Sequence, residues 1–254
     1  MSDIQFILRP DIPANVADEI PKPRPASTAI GSWYHKLQMH ARDSEVPPTL
    51  KHSDRLTAKS CGPFVDAMCT GYLIPAFCDI EVEVGPVHGV EDGSFRLSSR
   101  YYHIDPFGMH EAWQLPDHPL LSDWDCKLAG KFTNPWIIKT PPGSACLFIS
   151  PLINQPEQKF YTYGGLVSTD TYPLQVDLPF VVNCKQWKGQ YFTIKKGDPL
   201  AIVIPLWTDN WTRRISLRHP RTADSVELGK AKLCSLIQGA YKKYWRKVST
   251  YRLF

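Results

Sequence analysis

Residues 190–206 read QYFTIKKGDPLAIVIPL, and here a run of extended-chain residues stops at Lys195-Lys196-Gly197-Asp198-Pro199 and resumes at once. Tyr191 to Ile194 on one side and Leu200 to Ile204 on the other are aromatic, β-branched or aliphatic, the residue types that fit half-buried strands. Gly197 can take the positive φ of a tight turn, and Pro199 presets φ for restarting an extended chain. Two strands joined by a hairpin or a strand corner are expected.

The same pattern extends upstream. From Asp79 onward Ile80, Val82 and Val84 alternate with Asp79, Glu81 and Glu83, the period of two that marks a strand with one buried face. Asp92-Gly93 then signals a turn into a second strand. Further strands are expected at FTNPWIIKT (132–140), SACLFIS (144–150), FYTYGGLVS (160–168) and LPFVVNCKQW (178–187), and another at LWTDNWTRRISLRH after residue 205. PFGMHEAWQLPDHPLLSDWDC (106–126) reads as a polar, aromatic loop. The 23 prolines disfavour long helices. One short helix is expected within 32–44, and a longer one from 223, capped by Asp224 or Ser225. The chain thus divides into an irregular N-terminal arm (1–60), a β core domain (61–222) and a C-terminal helix packed on the core (223–254).

Composition bounds the function. With 254 residues and 43% hydrophobic content, the chain can bury a core without disulfides or metal. A net charge of +4, from 29 basic and 25 acidic residues, is too mild to argue for a nucleic-acid partner. No apolar run approaches the roughly 18 residues of a membrane span, and MSDIQFILRPD lacks a signal-peptide layout. Seven scattered cysteines without a C-x-x-C pair read as reduced, mostly buried thiols in a cytoplasmic protein.

Four stretches together resemble the β-clip fold of the trimeric dUTPases: TPPGSACLFISP (140–151), GGLVSTDTY (164–172), FTIKKGDPLAIVIPL (192–206) and, more loosely, CTGYLIPA (69–76). Their order and approximate spacing hold over about residues 69–206. The resemblance implies a mainly β, dUTPase-like clip or distorted barrel, and a homo-oligomer, a trimer or otherwise a dimer, with pockets between subunits. It does not extend to the reaction. Where the dUTPase motif carries the aspartate that orients the attacking water, this chain has Ser168, which cannot serve as a carboxylate base. Asp170 matches the second aspartate of that motif and is the candidate catalytic residue. Thr171 intervenes before Tyr172, the counterpart of the tyrosine that stacks beneath the deoxyribose. The phosphate-holding arginine and serine are missing from SPLINQ (150–155). A second resemblance covers nearly the whole chain. IPKPRPAS, WYHKL, CGPFVDAMCTGYLIPAFCDIEVEV, NPWIIKTPPGSACLFISPL and GLVSTDTYPLQVDLPF are similar to an uncharacterised family common in tailed phages and scattered among bacteria, which implies no activity.

The chemistry-bearing segment is YYHIDPFGMHEAWQLPDHPLLSDWD (101–125), with three of the eight histidines. His103 and Asp105 form an H-x-D triplet, whose period of two puts both side chains on one face of a strand, as a two-His-one-carboxylate iron site requires. His219 is the third candidate ligand, and Arg221 (or Arg218) can hold an acidic cosubstrate bidentately. That set resembles the non-haem Fe(II) oxygenases that use 2-oxoglutarate. The competing reading makes these ordinary loop or interface histidines. Trp113, near Trp124 and Trp136, joins Gly165 and Tyr172 as candidate lining for a small ligand, against the plainer role of core or interface aromatics.

Three functions from different classes follow. The first is a binding protein or enzyme for a small polar ligand, nucleotide-like or amino-acid-like, with no dUTPase activity. The second is an Fe(II) oxygenase using His103, Asp105 and His219. The third is a non-catalytic, phage-derived assembly protein.

Overall fold

At the Lys195–Asp198 break the chain turns a corner between two sheets. β13 (Tyr191–Ile194) pairs antiparallel with β4 (Ile80–Val84), whereas β14 (Pro199–Trp207) pairs with β3 (Tyr72–Pro75) and β9 (Ser144–Ile149). Gly197 has φ +92°, a conformation that favours glycine, and its N–H donates to Ala76 O at 2.8 Å. The Asp198 carboxylate accepts from Lys195 N–H at 2.9 Å, and Asp79 accepts from Lys196 N–H at 2.7 Å. Of the two local geometries expected, the corner is the one formed.

This computed structural model describes residues 3–47, 49, 55–101, 103–110, 114–115, 118–151, 153, 159–207, 222–235 and 243. The chain forms two units, one joining 1–29 to 71–209 and the other joining 30–70 to 210–254.

The first unit is mainly β, as the strand grammar predicts. Its sheets are antiparallel. A three-stranded sheet runs β13-β4-β5, with β5 at Phe95–Ser98. A five-stranded sheet places β11 (Gly165–Val167) beside β9, then β14, β3 and the short β2 (Arg24–Pro25). A four-stranded sheet runs β10 (Phe160–Thr162), β12 (Leu178–Val182), β7 (Ala129–Phe132) and β6 (Phe107–His110). Near the N-terminus β1 (Gln5–Leu8) pairs with β8 (Trp136–Lys139), so the start of the expected irregular arm contributes a strand to this unit. Short helices α1 (Ala14–Ala17), α4 (Pro119–Asp123) and α5 (Cys184–Trp187) interrupt the strands.

Burial follows the alternation. Ile80, Val82 and Val84 are buried while Glu81 is exposed. At the centre Phe132 and Phe180 stack, with centroids 3.7 Å apart and planes within 4°. Gly130 lies opposite Phe180 in the β7–β12 ladder, and a Cβ there would fall 2.4 Å from the ring. The stacked pair therefore depends on a residue without a side chain.

Two expected strands are each divided. FTNPWIIKT breaks at Asn134-Pro135. Asn134 is fully buried; its amide donates to Val176 O at 3.2 Å, and its side-chain oxygen accepts from Trp136 N–H at 3.0 Å. The local bond to Trp136 N–H competes with the ladder, and with the long-range bond to Val176 it turns the chain from one sheet to another. FYTYGGLVS divides at Gly164, with β10 and β11 in different sheets. The stretch expected as a loop over 106–126 instead holds β6 and α4. β6 gains its strand character from pairing with β7, a non-local effect, and α4 is capped by His118 Nδ1, which accepts from Leu120 N–H at 3.2 Å.

In the second unit, α2 (Ser32–Lys36) and α3 (Gly62–Cys69) enclose a small core of Ile30, Tyr34, Val65, Met68 and Cys69. α2 occupies only the first part of the helix expected within 32–44. α6 starts at Thr222, one residue before the position expected, and is described to Ser235. Beyond Trp207 the strand expected from LWTDNW lies outside the described residues. No described helix is long and apolar enough to cross a membrane.

Candidate ligand-binding cleft

β7 alternates between two environments. Gly130 and Phe132 face the aromatic core, and Lys131 between them emerges on the opposite face. In register with Lys131 on the edge strand β6 stands Gly108, whose missing side chain leaves room for the lysine stem: a Cβ there would lie 3.4 Å from Lys131 Cε. His103, Ile104 and Asp105 lead into β6, anchored where Thr133 N–H donates to Pro106 O at 3.0 Å. Arg9 arrives from the end of β1, its own N–H donating to Pro135 O at 3.0 Å.

These segments enclose an open cleft of about 410 Å³, lined among others by Arg9, His103, Asp105, Phe107, Lys131 and Asp177. The size is within the range of small-ligand sites. Its charges are partly matched. Arg9 bonds both carboxylate oxygens of Asp11, Nε at 3.0 Å from Oδ1, which holds the Asp11 carboxyl below its usual range. Lys131 Nζ lies 3.7 Å from Asp177 Oδ2, a loose ion pair, while Asp177 Oδ1 accepts from Asn134 N–H at 3.2 Å. Asp105 is exposed and has no hydrogen-bond or ionic partner among the described residues. His103 packs edge-on against Tyr101, with centroids 5.5 Å apart.

The H-x-D pair of the sequence is thus brought into one cleft. Among the described residues, however, no group of three His, Cys, Asp or Glu side chains is close enough to hold a metal ion. His219 and Arg221 lie outside the described residues, as does Trp113.

The remaining candidates are elsewhere. Gly165 begins β11, the edge strand of the five-stranded sheet, opposite Phe148. Tyr172, 40% exposed, closes a turn by donating its N–H to Ser168 O at 2.9 Å. Asp170 Oδ2 accepts from Gly143 N–H at 3.0 Å and so ties this turn to the Pro141–Gly143 loop. Beneath it the buried Thr169 hydroxyl meets Thr140 Oγ1 at 2.8 Å and donates to Cys146 Sγ at 3.3 Å. Ser168 itself is exposed. Neither Gly165, Asp170 nor Tyr172 is among the described residues that line the His103 cleft.

A larger cleft, about 540 Å³, opens beside Cys78, Asp79, Arg100 and Lys196. One of its carboxylates, Asp79, accepts from Lys196 N–H and so takes part in the corner. Reasoning from sequence missed Arg9, Lys131 and Asp177. Only Lys131 carried a local signal, as the charged residue within the alternating AGKF.

No family model and no curated protein matches the chain, so its likeness to the phage family rests on the motifs alone. Among solved structures the chain is similar to dUTPases, the family its motifs resemble. A mutant dUTPase from phage phi11 of S. aureus is 10% identical, with 87% of this chain and 99% of that one covered and a TM-score of 0.34. A mutant dUTPase of Staphylococcus bacteriophage 80alpha, solved with dUpNHpp, is also 10% identical, with 87% and 91% covered and a TM-score of 0.36. The native EIAV dUTPase is 13% identical, with 56% and 99% covered and a TM-score of 0.27. Likenesses this loose say nothing about activity.

Proposed function

We propose that this chain binds, and acts on, a small polar ligand of nucleotide-like or amino-acid-like class in the cleft of His103, Asp105 and Lys131. The convergence of His103 and Asp105 from one segment with Lys131 from another on one cleft supports the reading. Lys131, held only loosely by Asp177, is available to an anionic group. The exposed Asp105 carboxylate suits an ammonium or another hydrogen-bond donor. A ligand carrying both kinds of group satisfies both residues. Hydrolysis of dUTP is not part of this reading, because Ser168 offers a hydroxyl in place of a carboxylate.

Calorimetry of the full chain against amino acids and nucleoside phosphates tests it. A hit that Lys131→Ala and Asp105→Ala each weaken by roughly tenfold or more, the effect of losing one charge-assisted bond, supports the proposal. If no compound binds, or binding is indifferent to both variants, the proposal fails.

One observation favours a second reading: His103 and Asp105 share this cleft, as two ligands of an Fe(II) site would. It needs His219 as third ligand. Elemental analysis of protein prepared anaerobically with iron decides it. Stoichiometric iron lost in His103→Ala supports the oxygenase, and no iron removes it.

A further inference from the structure

We infer that the His103 cleft selects an α-amino acid, a basic one above all, and excludes nucleoside phosphates. The inference rests on this cleft being the ligand site, and it narrows the ligand class from the balance of charge there. Besides His103, the charge-bearing side chains of the lining are Asp11, Asp105 and Asp177 against Arg9 and Lys131, so carboxylates are in excess by one. A ligand seated in a cleft of about 410 Å³ lies within about one Debye length of these walls, about 8 Å at physiological salt, and interacts with them together.

Both cations already have a carboxylate beside them. Arg9 commits Nε and Nη2 to the two oxygens of Asp11. Lys131 Nζ stands 3.7 Å from Asp177 Oδ2, beyond hydrogen-bond reach, and so keeps donors for one more carboxylate. The excess charge is Asp105, exposed and without a partner among the described residues. An ammonium group is its natural complement.

Phosphate recognition needs the opposite balance. A phosphate monoester carries a charge of about −1.5 to −2 at neutral pH. Here it competes with Asp11 and Asp177 for the cations while facing Asp105. None of the described lining residues belongs to a helix, so no helix N-terminus turns its N–H groups toward an anion. An α-amino acid fits on each count. Its single carboxylate meets Lys131, its ammonium meets Asp105, and its methylenes run against Ile104 and Phe107, which are half-buried and pack on the core. A basic amino acid carries one net positive charge and brings the site to neutrality, whereas glutamate deepens the excess.

The test is calorimetry of the full chain against L-lysine, L-arginine, L-leucine, L-glutamate, AMP and ATP, in low and in physiological salt. Lysine or arginine is expected to bind roughly tenfold more tightly than glutamate or better, the effect of one charge-assisted contact. Leucine should fall between them, the nucleotides should give no heat, and the gap should narrow as salt rises. Asp105→Asn, a change at an exposed side chain, should erase most of the gap. If basic amino acids are not preferred, or a nucleoside phosphate binds more tightly, and Lys131→Ala still weakens that binding, the inference is overturned while the cleft stands as a ligand site. Silence from every compound, or binding indifferent to both variants, overturns the cleft and the inference together.

Discussion

The two faces of β7 make opposite use of the same short strand. On one, Gly130 and Phe132 close against Phe180 with no spare volume. On the other, Lys131 reaches into an open cleft where charges are incompletely matched. Dense apolar packing contributes stability and tolerates little change. Polar groups left partly unpartnered at a surface contribute little stability but remain available to a ligand. Substitutions on the two faces should therefore separate folding from binding.

The largest effect is expected on the core face. Phe180→Ala removes one half of the stacked pair and should cost about 3–5 kcal/mol of unfolding free energy in urea titration. Gly130→Ala should cost at least about 1–3 kcal/mol, because the new methyl meets the Phe180 ring and nothing flexible can yield. A neutral Gly130→Ala would show that the two faces are equally tolerant.

Between the faces stands Asn134, whose side chain satisfies Val176 O and Trp136 N–H in a fully buried position. Asn134→Ala leaves both without their partner and should cost about 1–3 kcal/mol, measured by the same titration. Its backbone N–H, which positions Asp177, survives the substitution, so ligand affinity should change less than stability.

On the cleft face Lys131→Ala should change stability by no more than about 0.5 kcal/mol, as expected for a half-buried, loosely paired charge at a cleft. The same variant should weaken ligand binding roughly tenfold or more. Equal losses in both measurements would erase the distinction between the faces.

The smallest effect concerns a surface cluster away from β7. Arg96, with His88, bonds the Glu83 carboxylate and holds it below its usual range. With the folded value below the unfolded one, the stabilisation is present above the unfolded value and lost as pH falls through the folded one. The thermal midpoint should therefore drop slightly below about pH 4, and Arg96→Ala should flatten that drop.

Much of the fold was legible in local pattern. The alternation of Ile80, Val82 and Val84 predicts β4 and its buried face, and Gly197 with Pro199 predicts the break between β13 and β14. β6 was not legible. Phe107-Gly108-Met109-His110 carries no alternation of its own and is a strand because β7 offers it hydrogen bonds. Nor was the division of FTNPWIIKT, which depends on Asn134 reaching Val176, a partner far along the chain.

The site divides in the same way. Residue types and spacing singled out His103 and Asp105, although they lie in the bend that precedes β6 and not on the strand expected of an H-x-D pair. Arg9, Lys131 and Asp177 join them only because β1, β7 and the approach to β12 are brought together by long-range pairing. The sequence by itself determined which segments are extended and where they turn, because those preferences reside in each residue and its neighbours. The tertiary structure decided which charges meet, because strand partners and register are chosen by burial summed over the whole core.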